Sequence, residues 1–310
     1  MLTIDQLHAF EKPARIQYFD TPYPYSCAFL REDEVVPAVS GNKWRKLKYN
    51  LLEASNLGFD TLLTYGGAFS NHILATAEAG HLLGFKTIGV IRGDELWNQW
   101  QHNPTLQRAH DLGMQFEFVT RTDYRFKDEA AAIKKLEQRF GAFYRIPEGG
   151  TNALAVQGCQ EILTAQTDPF DFILTPVGTG GTISGLAKSL PMHQEIIGFC
   201  ALDGAYLAPE IRTFVPHNRW SLNTDFTLGG YGKINADYIR FLNAFYDQTG
   251  IPLDPVYTGK MTFGLFDLMA KNAWPANSRL LLIHTGGLQG IQGMNQQLLQ
   301  KKKPILHYEK

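Results

Sequence analysis

Neither sign of charge prevails in this chain: lysine and arginine total 29 against 30 aspartates and glutamates, a formal charge of −1 over 310 residues. No global field draws it to nucleic acid or to an anionic membrane surface, so neither is expected as a partner. Cysteine is scarce as well. Cys27, Cys159 and Cys200 are odd in number, far apart and without CxxC spacing, which excludes a disulfide framework and a thiolate zinc site and reads as reduced thiols of a cytoplasmic protein. Long apolar runs are missing: no stretch reaches about 18 consecutive apolar residues, and the start, MLTIDQLHAFEK, lacks the basic and apolar segments of a signal peptide. Repeats, low-complexity tracts and long linkers are absent too. The expectation is a soluble chain of two domains, or one large core with an inserted lobe.

What the chain does have is an alternation of strand and helix periods. Leu47, Leu51, Ala54 and Leu57 recur at helical spacing, and Asp60 to Tyr65 reads as a strand. A helix follows from Ser70, carrying Ile73, Ala77 and Leu83, then a strand over Lys86 to Ile91, a helix over Pro104 to Leu112, a strand over Gln115 to Val119 and a helix over Lys127 to Phe140. Phe172-Ile173-Leu174 and Leu281-Leu282-Ile283 are short apolar segments, each followed within a few residues by paired glycines. This order predicts an α/β protein of open, mainly parallel sheets with flanking helices, whose ligand lies beyond the carboxyl ends of the strands.

One such end carries Gly178-Thr179-Gly180-Gly181-Thr182-Ile183-Ser184-Gly185 ahead of a helix. Glycines let N–H groups converge on an anion at a helix N-terminus, which suits a phosphate. A dinucleotide fingerprint from Gly178 needs glycine where Ile183 stands, and a P-loop from Gly180 needs lysine where Leu186 stands. A tight turn without a ligand is the plain alternative, but four glycines in eight residues exceed what a turn requires. A small phosphate monoester without a bridging metal is the better reading.

Tyr65-Gly66-Gly67-Ala68-Phe69-Ser70-Asn71-His72 opens a helix after the first of these strands. Ser70 or Asn71 suits an N-cap and His72 suits the first-turn surface, yet the paired glycines also leave that helix start open to a carboxylate. Glu148-Gly149-Gly150-Thr151-Asn152, Gly229-Gly230-Tyr231-Gly232-Lys233, Asp254 to Lys260 with Tyr257, and His284-Thr285-Gly286-Gly287 repeat the pairing of polar side chains with glycine. The histidines show no HExxH spacing, EF-hand ligands are missing, and Thr182 stands where a nucleophile elbow around Ser184 needs glycine, so metallohydrolase and serine hydrolase chemistry are not expected.

The segment SGNKWRKLKYN, Ser40 to Asn50, holds four cations. Lys43 follows Ser40-Gly41-Asn42, residues that suit a helix cap, and points from a first turn. Arg45, Lys46 and Lys48 lie further along and read as helix surface or electrostatic support, some facing water. A phosphate cradle without a nucleotide motif, beside such a lysine, points to pyridoxal 5'-phosphate, which needs a covalent lysine, a phosphate cup and a partner for its ring nitrogen.

From SGNKWRKL to LIHTGG the chain resembles the fold type II, tryptophan synthase β-like, pyridoxal phosphate enzymes, and among them the D-cysteine desulfhydrase and 1-aminocyclopropane-1-carboxylate deaminase branch. The resemblance implies that Lys43 bonds the cofactor, Asn71 meets its ring hydroxyl, residues Gly178, Thr179, Gly180, Gly181 and Thr182 hold its phosphate, and Thr285 faces the pyridine nitrogen. It further implies that Ser70, Asn71 and His72 face a small amino-acid substrate, with Ser70 near its carboxylate or relaying a proton, and that Tyr231 and Tyr257 are the active-site tyrosines. A large cofactor-binding domain of residues 1–45 and 153–310, a smaller inserted α/β domain of residues 46–152, and a homodimer belong to the same expectation. Thr258 after Tyr257, where the deaminases carry a carboxylate, together with Asn152 and the His284-Thr285 pair, favours the desulfhydrase; the deaminase and a non-catalytic cofactor-binding protein remain alternatives.

Overall fold

The computed structural model describes residues 1–39, 41–202, 204 and 206–308. Its strands are β1 (Ile16–Phe19), β2 (Ser26–Leu30), β3 (Thr61–Gly66), β4 (Lys86–Arg92), β5 (Gln115–Val119), β6 (Tyr144–Arg145), β7 (Phe172–Val177), β8 (Glu195–Cys200), β9 (Trp220–Asn223) and β10 (Arg279–Ile283). Six of them form one sheet in the order β1-β2-β10-β7-β8-β9, and the other four form a second in the order β5-β4-β3-β6. Every pairing is parallel except that of β1 with β2.

The helices are α1 (Ile4–His8), α2 (Asn42–Asn56), α3 (Asn71–Leu83), α4 (Pro104–Asp111), α5 (Arg121–Arg125), α6 (Ala130–Phe140), α7 (Ala153–Cys159), α8 (Gly181–Lys188), α9 (Leu207–Phe214), α10 (Ala236–Thr249), α11 (Thr258–Ala270) and α12 (Gly290–Gln300). They cover both faces of the large sheet, which explains why its inner strands are continuously apolar. In β10 the side chains alternate between two cores. Leu280 and Leu282 pack with Tyr238, Leu242, Met261 and Leu298 from α10, α11 and α12. Leu281 and Ile283 pack with Cys159, Leu186 and Ile211 from α7, α8 and α9. In the smaller sheet Leu62 of β3 meets Leu47, Leu51, Ala75 and Ala79 of α2 and α3, while Leu63 and Tyr65 meet Leu136 of α6 and Tyr124 of α5.

The alternation expected over residues 60–140 is present, with the last helix starting at Ala130 behind the extra short helix α5. Strands β1, β2, β6, β8 and β9 have no counterpart among the segments expected from the sequence. The carboxyl ends of β3, β7 and β10 lead into the loops at Gly67, Gly178 and His284, and residues following all three line one cavity.

Candidate active site

Gly41 caps α2 with φ of 51°, in the left-handed region where side chains are strained. A Cβ there would lie 2.1 Å from the Thr285 carbonyl oxygen, and Asn42 N donates to that same oxygen at 3.2 Å. The start of α2 is thereby fastened to the end of β10. Ser40, the other half of the expected cap, lies outside the described residues. Lys43 Nζ donates to Asn42 Oδ1 at 2.9 Å, and Asn42 Nδ2 donates to Thr182 Oγ1 at 2.7 Å. Lys43 keeps some surface only because it borders the cavity. Burial lowers its amine to about 8, against the opposing pull of Cys159 and Asp254.

The three cations after Lys43 are not helix surface. Arg45, Lys46 and Lys48 are 7%, 3% and 0% exposed. Arg45 pairs with Glu32 at 2.9 Å and Glu11 at 2.7 Å, and Lys48 pairs with Glu11 and Glu161. Partners drawn from α1's end, the segment after β2 and the segment after α7 neutralise that face, so no water is needed there. Lys46 points the other way, into the cavity that Lys43 borders. Its Nζ donates to Gly149 O at 2.9 Å, Thr151 Oγ1 at 3.1 Å and Thr179 Oγ1 at 3.2 Å. Burial, then repulsion from Lys43, brings it down to about 7. The sequence did hold the signal: i and i+3 share a helix face.

Opposite Lys46 stands the glycine loop. Gly180, at φ of 79°, caps α8, and among the described residues nothing accepts a hydrogen bond from the N–H groups of residues 178–182. These free donors at a helix start, with the Lys46 ammonium beside them, form a site for an anion. Gly178, Thr179, Gly180 and Thr182 line the cavity. Gly181 sits behind them, where a Cβ would come within 2.8 Å of Thr151 Oγ1 and 3.1 Å of Lys46 Nζ.

Ser70 is the N-cap of α3, its Oγ accepting from His72 N at 3.2 Å and Ile73 N at 3.3 Å. Asn71 Oδ1 accepts from Gln289 Nε2 at 2.8 Å. His72 is buried rather than first-turn surface. Because Thr64 Oγ1 donates to Ile146 O, it accepts from His72 Nε2, 2.8 Å away. Burial, then the Lys43 and Lys46 charges, push the imidazole well below its usual range, so it is neutral. Ser70, Asn71 and His72 all border the cavity with Lys43.

Tyr231, Tyr257 and Thr285 close it. The two tyrosine rings meet edge-on with centroids 6.0 Å apart, and desolvation at their hydroxyl ends raises both above their ordinary range, although the Tyr231 residue as a whole is half-exposed, so they stay protonated at neutral pH. Asp254, to which the sequence assigned no role beyond opening the Tyr257 run, accepts from Tyr257 N at 2.7 Å and Thr258 N at 2.8 Å. Burial raises this carboxyl to about 6. Its signal was that of an Asp three residues before a helix cap, within reach of the first free N–H groups.

An uncharged-prone lysine, unfilled N–H donors for a phosphate and a hydroxyl at a strand end are the donor set that pyridoxal 5'-phosphate requires. The profile of the pyridoxal-phosphate dependent enzymes matches residues 24–286. A Pyrococcus horikoshii protein, provisionally named a 1-aminocyclopropane-1-carboxylate deaminase, is 31% identical over 290 residues, 87% of this chain and 86% of its own length. The mitochondrial bifunctional D-cysteine desulfhydrase/1-aminocyclopropane-1-carboxylate deaminase of Arabidopsis thaliana is 30% identical over 298 residues, 84% of this chain and 72% of its own. A crystal structure described as an ACC deaminase homologue superposes with a TM-score of 0.81 at 27% identity, covering 96% of this chain and 98% of that one. The chain belongs to the pyridoxal-phosphate dependent enzyme family.

Proposed function

We propose that this enzyme is a lyase that eliminates from the β-carbon of a small amino acid, with D-cysteine as substrate and pyruvate, ammonia and hydrogen sulfide as products. The observation that carries the reading is the Lys43 amine at the cavity wall, lowered to about 8 by burial, with the phosphate-type cradle and the tyrosine pair around the same space. When bound, the cofactor holds the substrate nitrogen and accepts the electrons left as the Cα–H bond breaks.

The chain supplies the rest. Lys46 and the N–H groups of residues 178–182 hold the phosphate, Asn71 the ring hydroxyl, and Thr285 a neutral hydroxyl toward the ring nitrogen. The start of α3 at Ser70, Asn71 and His72 receives the substrate carboxylate, favoured there by the helix dipole. Lys43 is the covalent lysine and the base that takes the Cα proton; its lowered basicity leaves a usable uncharged fraction near neutral pH. Tyr231 and Tyr257, protonated, serve the sulfur as the Cβ–S bond breaks. Cα loses a proton, sulfur leaves with the bonding pair and is protonated, and one water completes hydrolysis to pyruvate and ammonia.

The second reading, a 1-aminocyclopropane-1-carboxylate deaminase giving 2-oxobutanoate and ammonia, is favoured by the names of the relatives. Against it stands position 258. Thr258 is fully buried, its hydroxyl accepting from Asp254 N at 2.9 Å, and no carboxylate follows Tyr257. A cofactor carrier without turnover is the remaining alternative.

We further propose a homodimer working in the cytoplasm. Cys27, Cys159 and Cys200 are buried and no disulfide joins them, in keeping with a reducing compartment, and no helix among the described residues is long and apolar enough to cross a membrane. The division into residues 1–45 with 153–310 and an inserted 46–152 is proposed because the strands of the smaller sheet all fall between residues 61 and 145.

The test is a visible spectrum of the purified protein before and after borohydride, repeated with Lys43→Ala. A colourless wild type, or an unchanged cofactor band in the variant, removes the assignment. Sulfide release from D-cysteine against L-cysteine, and 2-oxobutanoate from the cyclopropane substrate, then separate the two reactions, and a yellow protein inactive on all three is the carrier.

A further inference from the structure

Lys260, in the first turn of α11, has no role in the scheme above, yet its ammonium is placed with care. The residue is 2% exposed. Its Nζ donates to Thr227 O at 2.7 Å, Gly230 O at 2.7 Å and Ala201 O at 3.3 Å, so all three ammonium protons go to backbone carbonyls. Those carbonyls come from two separate loops. Ala201 follows β8, and Thr227 and Gly230 bracket the turn that delivers Tyr231.

That turn has little else to hold it. Leu228, Gly229, Gly230 and Gly232 have φ of 54°, 89°, 120° and 65°, conformations that form no strand ladder. Added Cβ atoms at Gly229, Gly230 and Gly232 would meet nothing within 4 Å, so the outer side of the turn is open. Its internal bonds are Gly230 N to Thr227 O at 3.0 Å and Lys233 N to Gly230 O at 3.2 Å, and Leu228 packs on the core. Tyr231 itself is 47% exposed, so burial alone does not fix its ring against Tyr257. Lys260 lies three residues beyond Tyr257, the cap of α11, so the start of that helix holds one tyrosine and grips the loop of the other.

We propose that Lys260 is a positioning residue: by holding the carbonyls of Thr227 and Gly230 it keeps Tyr231 against Tyr257 at the cavity mouth. The consequence for turnover rests on the reading above, in which Tyr231 serves the substrate. Removal of the ammonium frees the turn, withdraws Tyr231 and leaves the phosphate cradle and Lys43 untouched.

The experiment uses the holoenzyme with Lys260→Met, Tyr231→Phe and the double variant. Hydrogen exchange of backbone amides in residues 226–233 rises in Lys260→Met, while that of residues 178–188 and the visible absorbance of the bound cofactor stay as in wild type. With D-cysteine, each single variant lowers kcat/KM about 10–100-fold, and the double variant is no worse than Tyr231→Phe alone, because both act through one ring. Unchanged exchange in residues 226–233, or full additivity in the double variant, overturns the proposal. If Lys260→Met does not fold, Lys260→Gln, which keeps a donor, carries the same two tests with a smaller rise in exchange. If wild type turns over neither D-cysteine nor the cyclopropane amino acid, the functional reading falls, and the exchange measurement alone decides the clamp.

Discussion

The two long faces of α2 start from the same chemistry and end in opposite states. Arg45 and Lys48 turn toward Glu11, Glu32 and Glu161, while Lys43 and Lys46 turn toward a cavity in which their ammonium groups meet amide, hydroxyl and carbonyl oxygens. Burial works against the charges of Lys43, Arg45 and Lys46. On the first face the attraction of Glu32 and Glu11 overrides it and holds Arg45 above its ordinary range. On the second face nothing of that strength intervenes, and the two amines fall to about 8 and about 7. Along α2, burial leaves the two cavity lysines poised to change their protonation, because their neighbours are dipoles, and leaves Arg45 a structural cation, because its neighbours are carboxylates.

Breaking the cavity face has the largest effect. Lys43→Ala is expected to lower turnover of D-cysteine by about 1000-fold or more, by loss of both the covalent anchor and the base, measured by sulfide release, with thermal unfolding close to wild type. The opposite face gives the opposite pattern. Glu32→Gln leaves the Arg45 guanidinium short of a buried partner, and about 3–5 kcal/mol of stability is lost, read from urea unfolding, while KM for substrate stays near wild type. Lys46→Met sits between them: loss of a charged donor at the phosphate cradle weakens cofactor binding about 10–100-fold, measured by titrating cofactor into stripped protein.

The two faces also differ in pH response. Lys43 and Lys46 have folded values below their ordinary 10.5, so between about pH 7 and pH 10 the unfolded chain holds more protons and stability rises with pH. Cofactor-free protein is therefore expected to gain stability on going from pH 7 to pH 9.5, and Lys46→Met to flatten that slope; an equal slope in both contradicts the lowered values. Ser70→Ala is the smallest change, removing the cap of α3 for about 1 kcal/mol, seen in thermal unfolding, together with a rise in KM.

Lys43, the glycine loop and the strand-end hydroxyls were legible in the sequence because each chemistry announces itself locally, by a lysine after a cap or four glycines in eight residues. The burial of Arg45 and Lys48 was not. Their partners Glu32, Glu11 and Glu161 lie 13, 34 and 113 residues away, and only the folded chain makes them neighbours. Lys46 fell between the two cases, since its helix face was readable but its carbonyl and threonine partners were not. In the fold, the helices and strands of residues 60–140 show long, regular periods. β6 has only two residues, and β1, β2, β8 and β9, though close in length to the strands that were legible, owe their strand character to the neighbours they pair with.

β10 enters the large sheet between β2 and β7, and the Thr285 carbonyl beyond it seats the start of α2. For biosynthesis this sets an order of events. A ribosome-bound chain halted before Arg279 has made every cavity residue except Thr285, yet β2 and β7 remain separate, open edges, exposed to mispairing. The capacity to hold cofactor therefore arises late, when the last strand zips the sheet shut, and a messenger truncated a few dozen codons early encodes a chain that cannot retain it.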